Sequence, residues 1–243
     1  MSKIKEIYSF LSNLKTKVPV PKHNSVSNCI GNVQKNLPIQ AYIPILNKQD
    51  IYTVCKNKCI QALQGKNPYE KVFILNKENN TVIKELDGDL GCCYIDKIFL
   101  KRGPLKILHG HTAFENNCTS PVSFQDFKLL NDNPNIVEIS AFDSLGKESV
   151  LKKNDNYSCL SKKQFNDLKN TYIKYLLKYA NKPDREKILE LRQYCKTHEK
   201  SNAVQAKIAE LLTELQYKKG GVNAIDAFWR ENAERLNITY KPY

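Results

Sequence analysis

The apolar residues of this 243-residue chain change period twice along its length, and that change limits the folds open to it. Residues 71–75 (Lys-Val-Phe-Ile-Leu) are a short β-branched and aromatic run, 76–80 are turn chemistry, and 81–84 are a second run, which together predict a hairpin. Further strands are expected near 92–95, 98–102 and 105–109, with Gly103-Pro104 as punctuation. Residues 136–142 and 148–151 flank a turn at 143–147. Between the two groups of strands, 123–130 has helical period through Phe124, Phe127 and Leu130. From Ser161 onward the pattern is helical, over 162–180, 184–197, 202–217 and 224–236, broken at Asn181-Lys182-Pro183, at 198–201 and at Gly220-Gly221. Strands, a short helix, more strands and then only helices predict an α+β fold with an all-α C-terminal region.

The periods divide the chain into a basic N-terminal region (1–66), a central domain (67–153) and a helical region (154–243). In the first, a helix is expected at 4–14, loop or extended chain at 18–38, and a second helix at 49–63, stopped by Gly65 before Asn67-Pro68. The formal charge of +13 splits into +8, −1 and +6 over the three regions, so the basic character belongs to the flanks. A solvated face is the default for such lysine-rich segments, and docking of an acidic protein partner comes next. Nucleic-acid binding ranks last, since there is no helix-turn-helix signature, RNA-binding aromatic motif or zinc finger. No window approaches the roughly 18 apolar residues of a membrane span. The eight cysteines show no paired spacing and include the adjacent Cys92-Cys93, which predicts reduced thiols and a cytosolic or host-cytosolic workplace. Cys55 and Cys59, at i, i+4 on a helix, lack two further ligands nearby and are expected to be buried.

Chemistry concentrates in the nearly neutral middle. His109-Gly110-His111 follows an expected strand, and side chains two apart on an extended chain share a face, so two imidazoles converge. Gly110 would let the backbone pass close to a bound group. Twelve positions after His111 comes Ser123-Phe124-Gln125-Asp126, where a helix begins, so serine and carboxylate share its first turn. Two histidines and an aspartate are the protein ligands of a catalytic zinc, with a fourth place for water. Such a water needs a base, and Glu70, opening the first strand, is preferred over the competing carboxylates Glu85 and Glu115. Ser123 is the expected hydrogen-bond donor to a tetrahedral oxyanion. Cys118 is an alternative fourth ligand, and His23 and His198 read as surface residues.

His109-x-His111, then Ser123-x-x-Asp126, with an upstream strand glutamate, resembles the JAMM motif of MPN/JAB-domain zinc metalloproteases. The segments Glu70 to Lys77, Leu108 to Thr112 and Ser120 to Phe127, with the closing hairpin 135–152, are similar to the bacterial JAB branch, which includes RadC-like and phage- or effector-associated domains. The resemblance spans about residues 67–153. It implies a curved sheet with flanking helices and zinc on His109, His111 and Asp126. It also implies Glu70 as acid/base, Ser123 as oxyanion donor, and cleavage of peptide or isopeptide bonds, including those of ubiquitin-like modifiers. The competing class is an MPN-like scaffold with a non-catalytic metal, engaging an acidic partner or nucleic acid through its flanks. Two positions depart from the pattern. Thr112 stands where proline is usual, and 11 residues separate His111 from Ser123, more than in the eukaryotic pattern. The extra segment 114–118 is expected at the site's rim.

Overall fold

A strand buried on both faces needs cover on both, and the strand β1, Lys71–Asn76, is such a strand. Val72 and Ile74 enter one apolar cluster while Phe73 and Leu75 enter another, as the two-residue alternation of a strand requires. A computed structural model of the chain describes residues 48–89, 93–101, 103–112, 121–197 and 202–243. The helix expected at 4–14, the stretch 18–38 and the segment 114–118 lie outside them, as do His23, His198, Glu115, Cys92 and Cys118. The described chain is α+β, with a mixed six-stranded sheet and six helices.

Helix α1, Lys48–Gln64, packs on β1 and covers one face of the sheet. Cys55 and Cys59 point from it into Phe73, Leu75, Leu108 and Phe142. Both thiols are buried, and burial pushes Cys55 up to about 11 and Cys59 to about 12, so they act as apolar filling. The strand β2, Val82–Asp87, completes the expected hairpin antiparallel to β1. The strand β3, Leu105–Gly110, pairs antiparallel with the other edge of β1, Val72 facing His109. Helix α2, Phe124–Asp132, then crosses over to β4, Ile136–Phe142, which lies parallel to β3. The strand β5, Glu148–Lys153, returns antiparallel through a turn in which Asp143 Oδ1 accepts from the amides of Leu145 and Lys147. Gly146 takes φ +80° there, a conformation that favours glycine.

Two expectations fail locally. Residues 98–100, expected within a strand over 98–102, instead belong to a single 3₁₀ turn, Lys97–Leu100, because the Asp96 carboxylate accepts from the Ile98 amide and offers a local alternative to a ladder. Residues 93–96 before it have no regular structure. The C-terminal region is helical through α3 (Lys162–Tyr179), α4 (Lys182–Thr197), α5 (Asn202–Gln216) and α6 (Lys219–Asn232), yet it is not all-α. After a 3₁₀ turn at Glu234–Leu236, Ile238–Lys241 forms β6 on the outer edge of β5. The sheet order is β2-β1-β3-β4-β5-β6.

The division expected between 153 and 154 is not a gap in packing. One core gathers Val72, Ile107, Phe127 and Ile139 with Tyr172, Phe228, Trp229 and Ile238, from both sides of that division. A smaller cluster holds α4 and α5 to α3 through Leu177, Ile188, Leu191, Val204, Leu211 and Leu215. Among the described residues no helix is long and apolar enough to cross a membrane.

Glu138 on β4 is buried and ion-paired to Lys77 and Lys106. Burial alone would raise its pKa, but the two ammonium groups hold it below the ordinary carboxylate value. A carboxyl depressed in the folded state stabilises above its unfolded pKa, and that contribution disappears as pH falls through the folded value. Glu138→Gln is therefore expected to lose about 1–3 kcal/mol at pH 7. Urea unfolding at pH 7 and again below pH 4 should show the difference from wild type shrinking in acid; a constant difference would contradict it.

Candidate metal centre

The alternation that layers the sheet also assembles the site. Leu105, Ile107 and His109 of β3 share the face toward α2 and α6, whereas Leu108 joins the α1 side. Continuing the β1–β3 register past Val72 and His109 brings Glu70 opposite His111. The His111 amide donates to Phe142 O at 2.9 Å, which holds the chain beside β4 after β3 ends. Gly110 is small for a reason other than the expected one. A Cβ there would come within 3.0 Å of Leu63 on α1, so the glycine admits that helix to the opposite face.

Asp126 arrives from the first turn of α2. Ser123 is its N-cap, its Oγ accepting from the Asp126 amide at 3.2 Å, and the Ser123 amide donates to Asp126 Oδ2 at 2.6 Å. The Ser123 hydroxyl also donates to Oδ2, at 2.8 Å. The expected capping box and the expected ligand are thus the same residue: Oδ2 is occupied by the cap and Oδ1 faces His109. What fixes this turn comes from far along the chain. The Val122 carbonyl accepts from Trp229 Nε1 of α6 at 2.9 Å, and the Val122 amide donates to Ser149 Oγ of β5 at 3.1 Å. Phe124 stacks on Tyr172 of α3 with ring centroids 4.9 Å apart.

His109 Nε2 lies 3.3 Å from Asp126 Oδ1, and His111 Nε2 lies 3.5 Å from Oδ2. The imidazoles meet edge to face at 4.5 Å between centroids. His109, His111 and Asp126 offer ligand atoms that all lie within 4.8 Å of one another and could hold a metal ion. Two ligands bound tetrahedrally at about 2.1 Å would stand about 3.4 Å apart, close to the two histidine–carboxylate distances here. His109 Nε2 is buried yet has no aligned hydrogen-bond partner, a loss of about 1–3 kcal/mol that a coordinated cation would remove. The donor set therefore fits a divalent cation with imidazole and carboxylate preference, as zinc has. Burial works against the Asp126 charge, but the two histidines hold its carboxyl well below the usual range.

Glu70, also buried, lines the same cleft as His109, His111, Ser123 and Asp126, a space of about 460 Å³. Burial pushes its carboxyl up, against an opposing pull from His111 and His109. Glu85, the competing carboxylate, is elsewhere: on β2 it pairs with Lys71 at 2.8 Å and Lys58 at 2.9 Å, which hold its pKa low. Thr112 is buried with its hydroxyl unpaired. The residues missed from the sequence are those behind and across from the ligands: Trp229 and Tyr172, read as core, and Gln216 and Tyr217 at the end of α5, which line the cleft. The first two are core residues, so only their polar atoms betray the second duty.

No family model matches the chain, and neither a curated protein nor a solved structure matches it.

Proposed function

We propose that the chain is a zinc-dependent hydrolase of the JAMM type, cutting a peptide or isopeptide bond in the cleft beside His109, His111 and Asp126. The observation that carries this is the unpaired, buried His109 Nε2 facing Asp126 Oδ1, with Glu70 in the same cleft. Zinc held there supplies Lewis acidity toward a carbonyl oxygen and makes water acidic near neutral pH. The chain's own residues do the rest. Glu70 takes a proton from the attacking water and returns it to the leaving amine. A carboxyl raised by burial is suited to both directions of transfer. Ser123 turns its hydroxyl from Asp126 Oδ2 toward the oxyanion, while its amide stays on Oδ2 and keeps the carboxylate oriented. In this proposal the mixed sheet is the curved sheet of a JAB-like domain, the substrates include ubiquitin-like conjugates, and the workplace is a cytosol.

The test is cleavage by the purified full chain of a panel of linear peptides and ubiquitin-like conjugates. Activity should disappear on chelation and return with zinc. A chain that holds zinc and cleaves nothing, but binds an acidic protein in a salt-sensitive way, would instead fit a scaffold using the basic flanks.

A further inference from the structure

The cleft continues well beyond the ligands, and its other walls come from parts of the chain that the zinc chemistry does not use. One wall is the C-terminal end of α5, with Thr213, Gln216 and Tyr217; the other is the irregular segment with Cys93, Tyr94 and Ile95. Val72, Ile107 and Leu129 add apolar lining. The protein carries 38 lysines and arginines, yet none is among the described residues lining this space. Its two carboxylates, Glu70 and Asp126, are those facing the histidines. The other polar lining away from the histidines is uncharged, from the amides of Gln125 and Gln216 and the hydroxyls of Ser123, Thr213, Tyr94 and Tyr217.

We infer that these two walls select the substrate, and that the peptide they accept has uncharged, apolar or aromatic side chains next to the scissile amide. The inference rests on the hydrolase assignment above and narrows its substrate class. An acidic side chain in this space would lose water and gain no lysine or arginine, and a basic one would find only the two carboxylates already turned to the histidines, whereas backbone amides of a peptide match the glutamines and threonine. Tyr94 is 84% exposed, a large aromatic side chain at the rim. Such a group loses little entropy on covering an apolar partner. The far wall is also held at a fixed place relative to the ligands. Gln216 Oε1 accepts from the buried Tyr172 hydroxyl at 3.0 Å, and the Tyr172 ring stacks on Phe124, the residue after the N-cap Ser123.

The test uses the zinc-loaded full chain and three peptide hydroxamates, which chelate zinc, differing only in a leucine, glutamate or lysine beside the chelating group. Wild type should bind the leucine compound about tenfold or more tighter than the other two. Tyr217→Ala and Tyr94→Ala should narrow that gap with zinc stoichiometry unchanged. Thr213→Lys, at an exposed helical position, should shift the preference toward the glutamate compound by about tenfold, which a purely structural role would not do. Equal binding of all three by wild type, or an unchanged preference in Thr213→Lys, overturns the inference and leaves the hydrolase assignment standing. A chain that takes up no zinc, or whose zinc no hydroxamate reaches, overturns both.

Discussion

Glu70→Gln should retain its zinc and lose about 10²- to 10⁴-fold in turnover, the usual worth of a positioned acid/base. Glutamine has nearly the same shape, so the substitution removes proton transfer while leaving the strand end filled. Glu70 is buried where the β1–β3 register places it opposite His111, and its main chain is tied down by the Gly88 amide, which donates to Glu70 O at 2.7 Å. A folding defect is therefore not the expected source of the loss. Turnover and metal content measured on the same preparation decide the matter. A fall in kcat with KM nearly unchanged would indicate a group acting in the transition state. Retained activity would remove Glu70 from the acid/base role.

Asp126→Ala should empty the metal site, from about one zinc per chain to a small fraction of that, because three donors are the fewest that hold a catalytic zinc. It also removes one half of the capping box on α2, for a further cost of about 0.5–2 kcal/mol. His109→Ala separates the two effects, since it removes a ligand and leaves the Ser123 cap intact. Zinc should be lost in both, and the added instability should appear only in the aspartate variant. Metal analysis after dialysis, with thermal unfolding of the same samples, provides both readings. Normal zinc in both variants would sink the ligand assignment. In wild type, zinc that binds only the folded chain should raise the unfolding temperature in proportion to the logarithm of its free concentration.

The grouping of His109, His111, Asp126 and Glu70 was legible in the sequence because it depends on short periods. The offsets of two from His109 to His111, two from Glu70 to Val72, and three from Ser123 to Asp126 are spacings that a strand or a helical turn converts directly into shared faces. The helices after Ser161 were legible for the same reason, except that the last begins at Lys219 and not at 224: Gly220 and Gly221, expected as a break, lie in its first turn, where added side chains would meet the Tyr179 and Leu215 carbonyls. What escaped was pairing over long separations. Ile238–Lys241 is four residues long, too short to show a period of its own, and becomes a strand only because β5 offers an unpaired edge. Charge and period both changed near residue 153, yet Trp229 and Ile238 pack into the same core as Val72 and Ile107. Composition reports the solvent-facing side of a segment and says little about what its buried side touches. Gly110 shows the same limit: its position in the motif suggested a ligand, and its neighbour is Leu63.

The clamp on Val122 imposes an order of events during synthesis. His109, His111, Ser123 and Asp126 leave the ribosome about 100 residues before Trp229, at roughly 5–20 residues per second. For those seconds the ligands exist without the indole that seats their turn, and the edge of β5 waits for β6. The candidate metal centre is thus among the last parts of the protein to mature, and a ribosome stalled before α6 would release a chain with His109, His111 and Asp126 present and no rigid place to put an ion.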